Sequence, residues 1–190
     1  MQLPFFEDIT IENEDFGQKP FTRGEYEQCR FIQCNFSATD LSNCRFIDCI
    51  FEGCNLSNAK ISQTAFRDVK FIQCKMLGLH FDTCQAYGVS FSFENCILNH
   101  SSFYGTAIKK TIFRNCQLLE TDYTGADLSG ALFDNCNLFR ATFENTNLEK
   151  ADFTTATDYT IDPTLNKIKK ARFGVMGLAG LLTRYDIIIQ

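Results

Sequence analysis

Ten cysteines and two histidines are the side chains of this 190-residue chain that could bind a metal or close disulfides. Five cysteines crowd into "CRFIQCNFSATDLSNCRFIDCIFEGCNLSNA", residues 29–59, at Cys29, Cys34, Cys44, Cys49 and Cys54. Their spacings are 5, 10, 5 and 5, never the two-residue gap of a zinc clip. His80 and His100 each lack a carboxylate or nucleophile at an obvious partner spacing, so both read as surface histidines rather than acid–base groups. "AYGVS" and "MGLAG" lack the strand–turn–helix context of a phosphate loop. Seven acids between residues 118 and 155 (Glu120, Asp122, Asp127, Asp134, Glu144, Glu149 and Asp152) face only Arg140 and Lys150, which makes them a candidate partner surface.

The totals bound what can position these groups. A chain of this length forms one domain with a sizeable core, and 45% apolar content argues against disorder. The start is acidic and broken by Pro4, unlike a signal peptide, and the apolar stretch "GVMGLAGLL" (174–182) is too short to span a bilayer. A soluble cytoplasmic protein with reduced thiols, away from membranes, is therefore expected. Net charge is −5: residues 1–15 carry five acids and no base, whereas residues 16–117 carry eight acids and eleven bases. An acidic chain repels phosphate, which disfavours direct nucleic-acid binding.

The cysteine spacing belongs to a longer pattern. Large apolar residues fall every five positions from Phe21 through Phe81, weakly at Ala86 and again at Phe91. The count slips by two and resumes from Leu98 to Phe153. All ten cysteines sit two positions before a member of this series, Cys84 before the weak member Ala86. Five is neither the period of a helix nor that of a strand, and suits a chain that turns a corner every five residues.

"ADLSG" (126–130), "CNLSN" (54–58) and "ADFTT" (151–155) resemble the A(D/N)LXX consensus of the pentapeptide-repeat family. The resemblance covers roughly residues 19–155. It implies an all-β solenoid, a right-handed quadrilateral β-helix with four pentapeptides to a coil. Residues 20 apart should then stack. Phe31, Phe51, Phe71 and Phe91, then Phe113, Phe133 and Phe153, form one column. Cys34, Cys54, Cys74, Cys96, Cys116 and Cys136 form another. These thirteen residues are the expected structural core. About seven coils at roughly 4.8 Å each give a rod about 33 Å long.

Stacked cysteines in such a rod hold their Cβ atoms about 4.8 Å apart, whereas a disulfide prefers about 3.8 Å. A column is also a line, and a metal needs converging thiolates. The thiols are expected to line the core, with no cofactor, metal or catalytic site. Asp127 and Asp152 occupy the ordinary Asp/Asn position of the repeat, expected to hydrogen-bond backbone or solvent.

The columns place the slip between Phe91 and Cys96, with "FSFEN" (91–95) as a small bulge. Phe93 either fills space left by Ala86, together with Tyr87, or offers a surface contact to a partner. Residues 1–18 are expected to cap one end, 19–155 to form the β-helix, and 156–190 to form a helical module. In that tail "TIDPTLNKIKKARF" reads as a helix with Asp162 as N-cap and Pro163 in the first turn. "GLAGLLTRY" suggests a second short helix and "DIIIQ" a terminal strand.

The tail resembles the C-terminal dimerisation module of the Qnr, mycobacterial fluoroquinolone-resistance and microcin B17 immunity pentapeptide proteins. That resemblance implies a homodimer joined end to end, with Leu165, Ile168, Phe173, Leu178, Leu181 and Leu182 as candidate interface residues. It also implies a DNA mimic that engages DNA gyrase or topoisomerase IV and protects against inhibitors or toxins. The near-neutral middle of the chain and the absence of long loops point equally to a protein-interaction scaffold without that target.

Overall fold

The computed structural model describes residues 3–185 together with 187–188. Its strands are β1 (Phe5–Glu7), β2 (Thr10–Glu12), β3 (Glu25–Glu27), β4 (Arg30–Ile32), β5 (Arg45–Ile47), β6 (Ile50–Glu52), β7 (Ala65–Arg67), β8 (Val69–Ile72), β9 (Phe91–Glu94), β10 (Ile112–Arg114), β11 (Leu132–Asp134), β12 (Asp152–Phe153) and β13 (Arg172–Phe173). All pair in parallel, in a four-stranded sheet (β1-β3-β5-β7) and a nine-stranded one (β13-β12-β11-β10-β9-β8-β6-β4-β2). The chain is a right-handed quadrilateral β-helix of about eight turns.

The period of five has a backbone cause. One residue per face takes the left-handed conformation, as at Gln33 (φ 51°), Asn58 (57°), Asn115 (51°) and Asn145 (53°). Each such residue turns the chain through a corner, at a cost of about 1–2 kcal/mol for a side chain other than Gly, Asn or Asp. The large apolar side chain buried two residues earlier, Phe31, Leu56, Phe113 or Phe143 in these cases, offsets it by about 1.5–3 kcal/mol. Phe31, Phe51, Phe71, Phe93, Phe113, Phe133 and Phe153 are sealed from solvent and stack with ring centroids 4.6–5.3 Å apart. Offset stacking at such separations adds to burial.

All ten cysteines are buried and unpaired. Eight of the thiols also do what the sequence pattern did not reveal: they donate to carbonyls of the preceding coil. Cys54 Sγ reaches Phe31 O at 3.3 Å and Cys74 Sγ reaches Phe51 O at 3.3 Å. Thr64, Ser101 and Thr146 fill the same position and donate in the same way, to Leu41 O (2.8 Å), Met76 O (3.0 Å) and Tyr123 O (2.9 Å). The position selects a small side chain: Cys, Ser and Thr add a donor there, whereas Ala126, Ala131 and Ala151 fill it, fully buried, without one. Burial pushes the Cys34, Cys44 and Cys84 thiols up and Cys49 to about 12, so these stay protonated and unreactive.

Four expectations change. The slip lies earlier than the columns suggested. β8 pairs with β9 in the register Phe71↔Phe93 and Val69↔Phe91, so the two extra residues fall within Gln85–Ser90. Phe93, not Phe91, continues the aromatic column, and it is 1% exposed and unavailable to a partner. Phe91 turns into the space left by Ala86, against Phe81 and Phe93 at 5.3 and 5.1 Å, while Tyr87 is 86% exposed.

The N-terminal segment is a coil of its own rather than a separate cap: Phe6 stacks on Tyr26 and Ile11 pairs with Phe31. The coil also continues past residue 155. Phe173 stacks on Phe153 at 5.4 Å, and residues 162–173 form turns and a strand instead of a helix. Ile168 and Phe173 are five apart, so one more coil buries them in register, which a free helix would not. Beyond it, among the described residues, the helical elements are two 3₁₀ helices, Val175–Leu181 and Thr183–Tyr185. The expected terminal strand falls partly on Asp186, Ile189 and Gln190, outside the described residues, and Ile187 and Ile188 are not in a strand.

Candidate protein-interaction surface

With the interior closed, function rests on the outer walls and the two ends. The walls carry charge in short ladders one coil apart. Asp134 meets Arg114 at 3.0 Å, Asp152 meets Arg172 at 3.0 Å, and Asp127 meets Lys109 at 3.2 Å. Glu120 sits between His100 (3.4 Å) and Arg140 (3.7 Å). No ion pair reaches Asp122, Glu144 or Glu149 among the described residues.

The seven acids clustered in sequence are therefore not one acidic patch. With coils repeating every 20 residues they occupy seven different places around the tube, and four are neutralised by a base. Asp127 and Asp152 also serve the fold. Each accepts the backbone N–H two residues on, from Ser129 at 3.0 Å and Thr154 at 2.9 Å. Burial opposes their ionisation, but these hydrogen bonds and the neighbouring cations outweigh it and hold both carboxyls below the ordinary range.

His80 is exposed, with Nδ1 3.4 Å from Asp82, and among the described residues no three His, Cys, Asp or Glu side chains gather as a metal set would.

The C-terminal end is built differently. The 3₁₀ helix Val175–Leu181 lies across the last coil on Tyr159, and Ile161 N–H donates to Gly180 O at 3.0 Å. A Cβ at Gly177 would collide with the Tyr159 ring and hydroxyl, and one at Gly180 with its carbonyl oxygen, so both glycines are required by close approach. Arg184 ties the second 3₁₀ helix back to Asp162 at 3.0 Å.

Of the candidate interface residues, Ile168, Phe173 and Leu181 are half-buried against the core and Leu182 is also half-buried, whereas Leu165 and Leu178 are exposed. Val175 (83%) and Met176 (97%) join them on the outer side. Sequence reading missed these two; their place on the outward side of a segment seated by glycines was the available signal. Three of these exposed apolar side chains, Val175, Met176 and Leu178, belong to one short segment, which makes it a candidate interaction surface.

The pentapeptide-repeat region model matches residues 19–92 and 64–153, more than half of the chain. The chain belongs to the pentapeptide-repeat family. Among solved structures it is similar to a trypsin-treated form of QnrB1, a plasmid-mediated fluoroquinolone resistance protein, at 22% identity and a TM-score of 0.50 over 98% of this chain and 100% of that one. A second trypsin-treated form of QnrB1 matches at 22% identity and 0.51, over 97% and 99%. HetL of Nostoc sp. strain PCC 7120, a pentapeptide-repeat protein involved in heterocyst differentiation regulation, matches at 16% identity and 0.50, over 92% and 88%. At these identities the likeness is one of fold. No curated protein matches in sequence. Among the described residues no helix is long and apolar enough to cross a membrane.

Proposed function

We propose that this protein is a non-catalytic protein-binding rod that pairs with a second copy through its C-terminal end. The observation that carries this reading is the apolar surface of Val175, Met176 and Leu178, held outward by a segment whose other side is seated on the core, with Leu165 exposed on the last coil. A two-fold axis there buries the same patch from both copies. The test is the mass in solution by light scattering. Met176→Asp should turn a dimer into a monomer with unchanged circular dichroism, and a wild-type monomer would remove the pairing.

The specific target proposed is a type II topoisomerase, DNA gyrase or topoisomerase IV, engaged as a mimic of DNA. The full-length likeness of fold to QnrB1 supports testing it. Purified protein should alter gyrase supercoiling, with or without ciprofloxacin, and no effect at about micromolar dimer removes this target. A second reading, a scaffold with no topoisomerase target, is favoured by charge. The last coil carries Lys167, Lys169 and Lys170 beside the ion-paired Arg172, against Asp158 and the ion-paired Asp162, so the centre of a dimer would have a net positive rather than negative charge. A surface that competes with DNA needs a continuous negative field, which paired acids do not supply.

A further inference from the structure

The first coil carries an unused surface of a different kind. β1 and β2 are the terminal strands of their two sheets, and among the described residues nothing pairs with their outer edges. Ladder bonds run inward from them: Glu25 N–H donates to Pro4 O at 2.8 Å, and Arg30 N–H to Ile9 O at 2.9 Å. An unpaired edge offers N–H and C=O groups to an added strand. Beside the edges Phe6, Ile9, Ile11, Phe16 and Phe21 form an apolar floor only partly covered. Around it stand Glu7, Asp8, Glu12, Glu14 and Asp15, of which only Glu14 has a cation in contact, Lys19.

Charge and shape select among occupants. A second copy docked first coil to first coil would oppose five carboxylates with five more. A copy docked head to tail would meet an end already occupied by the 3₁₀ helix on Tyr159. We infer that the first coil binds an extended, basic segment of a different protein, which adds as a further rung to β1 and β2. Burial alternates exposed, half-buried, exposed along both strands, with Phe6 and Ile11 central. The rung therefore fits apolar side chains five residues apart, each flanked by Lys or Arg that face Glu7 and Glu12. This surface is separate from the C-terminal one and independent of any topoisomerase target.

The test uses the full chain and a fluorescent octapeptide, Lys-Phe-Lys-Gly-Ala-Lys-Ile-Lys, with anisotropy as the readout. Binding below about 1 mM is expected, weakening with salt, and the analogue with Glu for every Lys should bind at least about tenfold more weakly. Glu7→Lys with Glu12→Lys should reduce affinity about tenfold or more, whereas Glu144→Lys with Glu149→Lys, the same charge change elsewhere, should leave it unaltered. Thr10→Pro, which removes one edge N–H, should weaken binding without altering charge. No binding of the lysine peptide, or equal losses in both double variants, would overturn the proposal.

Discussion

The two ends of this solenoid share one cross-section and differ in everything else. At the first coil the apolar floor is half open, the sheet edges have no partner among the described residues and the rim is acidic. At the last coil a glycine-containing 3₁₀ segment covers the core, the rim is basic, and apolar side chains point away from the tube. Between them the coils repeat one plan, broken only by the two-residue slip within Gln85–Ser90. A repeat specifies its own continuation, so what distinguishes one rod from another is written where the repetition stops.

The comparison can be broken most forcefully from the middle. Phe133→Ala, in a sealed rung with neighbours on both sides, should cost about 3–5 kcal/mol in urea unfolding. Phe6→Ala, at the open end, should cost about 1–2 kcal/mol because the ring is already half-wet. Equal costs would mean that the first rung is covered in solution. Gly180→Ala acts on the other end alone. Its Cβ meets the Tyr159 carbonyl, so the 3₁₀ segment should lift at a cost of about 1–3 kcal/mol. Limited proteolysis just beyond Phe173 and loss of the dimer would report it, with Phe6→Ala as the control that keeps both.

A finer prediction concerns the donor column. Cys74→Ala removes the thiol that reaches the Phe51 carbonyl and should cost about 1–2 kcal/mol. Cys74→Ser keeps a donor, as Ser101 does naturally, and should stay closer to wild type in a thermal melt. The smallest effect is that of pH. Hydrogen bonds from Ser42 lower Asp40, and those from Thr164 lower Asp162; Asp127 and Asp152 are also lowered. A folded-state pKa below the unfolded value gives stability that is present above the ordinary carboxylate range and lost as pH falls through the folded value. Stability should thus be flat near neutrality and decline below about pH 4. Asp40→Asn and Asp152→Asn should each flatten that acid limb.

Much of the fold was legible because the ring columns repeat without a gap from Phe31 to Phe71 and from Phe113 to Phe153. The slip was visible as a change of count but misplaced, since Phe91 and Phe93 both satisfy one column and only strand register separates them. Phe6, Ile11, Phe16 and Phe21 already carried the period, and the acids among them hid it behind the appearance of a cap. In the tail, Asp162 and Pro163 imitate a helix start, yet both suit a turn, and burying Ile168 and Phe173 in a ninth rung decided the outcome. The acidic run misled for a simpler reason: closeness in sequence means little on a chain that changes face every five residues.

Thiol labelling in native buffer tests the central claim most directly, because it asks whether all the reactive chemistry of the chain is sealed inside the tube. None of the ten cysteines should react with an aromatic disulfide reagent until denaturant is added, after which all ten should react. Rapid native labelling of Cys34, Cys54 or Cys74 would contradict the account.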